Sequence, residues 1–156
     1  MGEKIMRIIL ACALAGLLGV PAFGQGVDPL IGTWKFNPEK STANYRLGSM
    51  SFTVVKDGEN MVSTVEGVNG ETSKAFKMVF QHIYDGMPHP ATGGANFDSI
   101  AFTRIGNTLN QVRFQNGKPS EVGQSIIVPG KTFTTTAEGI APNGFVYRHV
   151  LVFERQ

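Results

Sequence analysis

Seven tight-turn dipeptides punctuate the chain and constrain its fold more than any other feature. They are Asp57-Gly58, Asn69-Gly70, Asp85-Gly86, Gly106-Asn107, Asn116-Gly117, Pro129-Gly130 and Asn143-Gly144. Asn-Gly and Asp-Gly readily supply the positive φ that tight hairpins demand. Most of the dipeptides stand 10–16 residues apart, room for one strand and one turn. Between them Val, Phe, Thr, Ile and Tyr alternate with polar residues, and no window beyond residue 28 carries a helical period. The pattern predicts about nine strands: 30–36, 49–56, 60–68, 72–84, 98–105, 108–115, 120–128, 132–138 and 145–154. Consecutive strands joined by short turns make an up-and-down antiparallel meander. With no helix to cover such a sheet, closure into a barrel removes its edges. The expected fold is all-β, an up-and-down antiparallel β-barrel of eight to ten strands.

The first 24 residues read as a cleaved signal peptide. Lys4 and Arg7 precede an apolar run from Ile8 to Val20, and Ala22 and Gly24 stand at cleavage-site spacing. The run is shorter than the roughly 18–20 residues of a membrane span. The expected mature chain is one barrel domain over 25–156, exported to the periplasm or outside the cell, with no membrane span. Removing the leader removes Cys12, the one cysteine, so the mature domain relies on its core and has no disulfide. Beyond residue 24, twelve Lys and Arg face eleven Asp and Glu. That balance, without a basic cluster, argues against a nucleic-acid partner. Oligomeric state is not legible in the residues.

Strand alternation selects candidate ligand-lining residues. Side chains at i and i+2 share a face. Over 72–84, one face carries Phe76, Met78, Phe80, His82 and Tyr84. Over 145–153, one face carries Phe145, Tyr147, His149, Leu151 and Phe153. Two strands thus each place one histidine in an aromatic and apolar row. Met50, Phe52, Val54, Met61, Phe97, Phe102 and Phe114 are most economically core. A barrel of this size is either filled by side chains or holds one small ligand, and both readings stay open.

The stretch HIYDGMPHP, from His82 to Pro90, raises the question of a metal site. Asp85 and His89 fall close together in a turn, and His82 would have to join them. No H-E-x-x-H signature is present, and Asp-Gly with two prolines is what a strand ending needs. The stretch reads as a turn, with no metal and no cofactor expected. The segment 86–97 reads as a flexible loop near a barrel mouth. No serine stands in a nucleophile elbow, and Gly93-Gly94 is not followed by the lysine of a phosphate loop.

The stretch Asp28-Pro29-Leu30-Ile31-Gly32-Thr33-Trp34-Lys35-Phe36 resembles the G-x-W start of the lipocalin and fatty-acid-binding-protein superfamily. The resemblance implies a barrel floor in which Gly32 permits a close crossing, Trp34 plugs the end, and Arg155 lies over the tryptophan. Arg148 is the less favoured arginine. Gly32 to Ser41 (GTWKFNPEKS), Tyr84-Asp85-Gly86 and the ending Val150 to Gln156 further resemble a group of bacterial exported lipocalin-like, calycin-type proteins. Two departures limit the likeness to fatty-acid-binding proteins. Residues 37–48 are too few for their two-helix lid. Leu151 and Phe153 stand where their R-x-Y carboxylate clamp would be.

Three functions follow as expectations. The favoured one is binding of a small hydrophobic or aromatic molecule in the barrel, without catalysis. The second is a filled barrel that meets other envelope proteins. The third is an enzyme using His82 and His149 as an internal acid–base pair.

Overall fold

The computed structural model describes residues 27–94 and 96–156. The expected leader, with Cys12, lies outside them. Eleven strands follow in order: β1 (Gly32–Phe36), β2 (Thr42–Ala43), β3 (Ser49–Asp57), β4 (Asn60–Val68), β5 (Ala75–His82), β6 (His89–Thr92), β7 (Ser99–Ile105), β8 (Thr108–Gln115), β9 (Lys118–Val128), β10 (Thr132–Ile140) and β11 (Val146–Arg155). From β3 onward every strand pairs antiparallel with the next, and β1 pairs with both β3 and β11. The sheet therefore closes. The fold is an all-β antiparallel barrel of ten staves, because β1 and β2 lie along the same strand, β11.

The interruption of that shared stave is local chemistry. Pro38 opens a single 3₁₀ turn, Pro38–Lys40, whose start Asn37 caps by accepting from the Lys40 N–H at 3.2 Å. The turn lifts the chain off β11 between the pairs Phe36↔Phe153 and Thr42↔Val150. Ser41 Oγ fills the gap: it accepts from Val152 N–H at 2.9 Å and donates to Asn37 C=O at 2.7 Å.

Several turns follow the dipeptides. Asn116 (φ 51°) and Gly117 (φ 74°) are both left-handed, the geometry of a two-residue hairpin turn. Asn69 instead organises a longer loop, accepting from the Glu71 and Thr72 N–H groups at 2.9 Å.

Two strands escape the sequence pattern. β2 has two residues and β6 has four, including Pro90. β6 corrects the reading of 86–97 as loop throughout: Val79↔Thr92 and Phe80↔Ala91 join it to β5, and His89↔Ile100 and Pro90↔Ser99 join it to β7. The strand predicted over 72–84 is also shorter, ending at His82.

The barrel floor is built by β1 and the residues just before it. Leu30 and Trp34 are fully buried, and Trp34 Nε1–H donates to Leu30 C=O at 2.8 Å. The Arg155 guanidinium lies 5.1 Å from the Trp34 ring centroid, a cation–π placement. Gly32 has φ 137°, and a side chain there would occupy the guanidinium's space. Above the floor stands a stack of rings. Phe52 lies 5.1 Å from Phe133, 6.0 Å from Phe153 and 6.2 Å from Phe80, and Phe80 lies 5.9 Å from Phe102. This is ordinary aromatic packing distance.

Candidate functional site

Ring packing does not fill the interior completely. A cavity of about 170 Å³ remains, walled on the apolar side by Met50, Phe76, Met78, Phe80, Phe102 and Leu151 among others. Its polar lining is Tyr45, His82, Gln111, Arg113, Ser125, Thr135 and His149. An engineered cavity of ~150 Å³ holds benzene, whereas pockets for drug-sized ligands start near ~300 Å³. The space therefore suits one ring with a short substituent. A wider groove of about 590 Å³ on the outer face of β9–β11 is open to solvent.

His82 is buried, on the inward face of β5. Its ring stacks on Phe102 at 4.5 Å, and Nε2 meets Ser63 Oγ at 2.6 Å. Nδ1 has no partner among the described residues. Burial lowers the imidazole from its usual 6.5 to about 4, so it is neutral at pH 7. A neutral imidazole that uses one nitrogen on Ser63 keeps the other for a second bond.

His149 stands on β11 in a different set of rings. Tyr147 stacks on it at 6.2 Å, and Tyr45 meets it edge-on while Tyr45 Oη and His149 Nδ1 lie 3.0 Å apart. Burial lowers its pKa too. Behind these rings lies Glu121, 2% exposed. Its carboxylate accepts from Tyr147 O–H at 2.9 Å, Arg113 Nη1–H at 3.0 Å and Gln111 Nε2–H at 3.2 Å. Arg113 and Glu121 are direct cross-strand partners beside the β8–β9 irregularity. The Arg113 guanidinium also covers the Phe97 ring at 4.6 Å, and its buried Nε–H has no partner among the described residues. Burial, then the Glu121 charge, raises Tyr45 to about 12 and Tyr147 higher still, so both phenols stay protonated.

Of the residues selected from sequence, Phe76, Met78, Phe80, His82, His149, Leu151 and Phe153 line the cavity. Three do not. Phe145 shares the right parity but precedes β11; it sits in the hairpin turn, 45% exposed. Tyr84 lies past the end of β5, where its hydroxyl accepts from Arg104 at 3.3 Å beside the Arg104–Asp28 ion pair. Tyr147 is turned behind His149 to hold Glu121. The two histidines share a cavity but no ring neighbour: His82 packs on Phe52, Phe80, Tyr84 and Phe102, and His149 on Tyr45 and Tyr147.

Within HIYDGMPHP the histidines separate. His82 faces inward, while His89 Nε2 pairs with the Asp85 carboxylate at 3.0 Å. Asp85 Oδ1 also accepts from Met87 N–H at 2.8 Å, which closes the turn. Among the described residues no three His, Cys, Asp or Glu side chains converge as metal ligands, and no helix is long and apolar enough to cross a membrane.

The polar wall is what the sequence reading missed. Gln111 and Arg113 on β8, and Glu121 and Ser125 on β9, alternate on the inward parity, a period-2 signal hidden because these residues are polar. Tyr45 lies outside the regular strands.

No protein-family model matches the chain, and no curated protein matches it in sequence. Solved structures do match it in fold. One is the REP1-NXSQ fatty acid transporter, 12% identical, with a TM-score of 0.53 over 82% of this chain and 96% of that one. Another is Rv2717c from M. tuberculosis, 12% identical, with a TM-score of 0.54 over 82% of this chain and 93% of that one. At this identity the likeness is one of fold alone, a closed antiparallel β-barrel.

Proposed function

We propose that the mature chain is an exported, lipocalin-like carrier that holds one small hydrophobic or aromatic molecule inside its barrel and does not transform it. The carrying observation is the cavity of about 170 Å³ among aromatic walls, inside an otherwise packed barrel. A filled structural barrel would have no use for this space, and packing it with larger side chains would be stabilising. The name of one structural neighbour, a fatty acid transporter, supports a carrying role. The separation of His82 and His149 into different ring sets supports binding over acid–base chemistry, which needs both groups at one reacting centre. The basic head, apolar run and Ala22–Gly24 spacing support export, with cleavage before Gln25. The GTWKFNPEKS stretch supports membership of the bacterial exported lipocalin-like group.

Native mass spectrometry of the chain expressed with its own N-terminus, taken from the periplasm or medium without detergent, tests this directly. The expected result is a mass starting at Gln25 plus an organic adduct lost on denaturation. A chelator-sensitive metal increment, or a protein retained in the cytoplasm at full length, would overturn it.

A further inference from the structure

The cavity's wall carries one cation, and that cation is already neutralised. Among its lining residues only Arg113 is a lysine or arginine. Arg113 Nη1 is bonded to Glu121 Oε2 at 3.0 Å, and the Glu121 side chain is 1% exposed. Glu121 is in turn held by Tyr147 and Gln111, so the carboxylate is buried with its bonds made inside the barrel, while the Arg113 side chain is 21% exposed. Both lining histidines are neutral at pH 7 for want of solvent. A carboxylate entering this space would lose its hydration and meet no uncompensated positive charge, with the Glu121 charge close behind the wall. Burying a charge on such terms is strongly unfavourable.

An uncharged oxygen meets the opposite situation. Arg113 Nε–H is a buried donor without a partner, and guanidinium nitrogen can only donate. His82 Nδ1 is also unpartnered and buried. Reached from the cavity, a hydroxyl, carbonyl or ether oxygen would satisfy the Arg113 donor, and a hydroxyl would also suit either tautomer of His82. Leaving such groups unpaired is unfavourable, so a ligand that satisfies one gains affinity.

We propose that the Arg113–Glu121 pair makes the cavity selective for a small uncharged molecule bearing an acceptor oxygen, and excludes carboxylates. This rests on the binding role proposed above and names the class of ligand for it.

The test uses two probes of one shape and opposite character, cinnamyl alcohol and cinnamate, titrated calorimetrically into the mature protein at pH 7.5. The alcohol is expected to bind at least about tenfold tighter in the wild type. Glu121→Gln keeps the shape of the wall but uncovers the Arg113 charge, and should move the affinity ratio toward cinnamate by about tenfold or more. Cinnamate binding as well as the alcohol in the wild type, or an unchanged ratio in a folded E121Q, overturns the selectivity. If neither probe binds the wild type, the cavity is not a binding site and both readings fall together. Should E121Q not fold, the wild-type comparison decides alone.

Discussion

Gly139 carries a hydrogen where Tyr147 needs room. The two are cross-strand partners, and a Cβ on Gly139 would overlap the Tyr147 phenol. Glycine in a strand ordinarily costs stability, and Gly→Ala ordinarily recovers about 0.4–1 kcal/mol. Here the overlap outweighs that gain, because displacing the ring also strips Glu121 of its 2.9 Å phenol donor. Gly139→Ala is therefore expected to destabilise by about 1–3 kcal/mol, read as a lowered urea midpoint. A raised midpoint would mean that Tyr147 moves freely and that the buried carboxylate does not need it. Legibility at this scale divides by chemistry. His82 and His149 were found by parity because they interrupt apolar rows. Arg113 and Glu121 were not, because each is an ordinary surface residue type, and only the pairing of β8 with β9 turns both inward. A lone strand cannot disclose that its charged residue has a partner on the next one.

Strand length decides how much of each element was legible. β3, β4 and β7 to β11 run seven residues or more and were read to within a few residues of their ends. β2 and β6 are too short to show a period, and Pro90 in β6 argues against a strand from sequence. The ring closes between β1 and β11, which lie at opposite ends of the described chain; the meander without a covering helix implied closure, but local pattern could not give the register of that last pairing. The same lengths predict unequal stability around the barrel. β6 is held by two residue pairs on each side, whereas β8–β9 and β9–β10 have eight each. Amide hydrogen exchange should show 89–92 opening locally and much faster than the inward ladder of β9 and β10. Equal protection of β6 and β9 would mean that the ring opens only as a whole.

The molecule as a whole gains its interior by keeping histidines uncharged, which ties its stability to pH. In the folded state His82 titrates at about 4, against an ordinary 6.5, because burial disfavours the imidazolium. Between these values the unfolded chain binds a proton that the folded chain does not, so stability rises with pH there. The contribution is complete above about pH 6.5 and is lost as pH falls toward 4, for a total of about 3 kcal/mol. His149 is shifted the same way by its own burial and steepens the loss. The surface carboxyls act in a lower window. Asp85 is held down by the Met87 amide, Asp98 by the Asn116 amide and Glu154 by Lys40, and each loses its favourable contacts only as it protonates below its ordinary value. Urea midpoints measured from pH 7.5 to 4.5 should therefore fall continuously, with most of the fall below pH 6.5. His82→Phe keeps a ring stacked on Phe102 and should flatten that slope, whatever its effect on stability at pH 7.5. A midpoint independent of pH over this range would place protonated imidazole inside the folded barrel. The cavity would then carry positive charge in mild acid, and its discrimination against carboxylates would be confined to neutral pH.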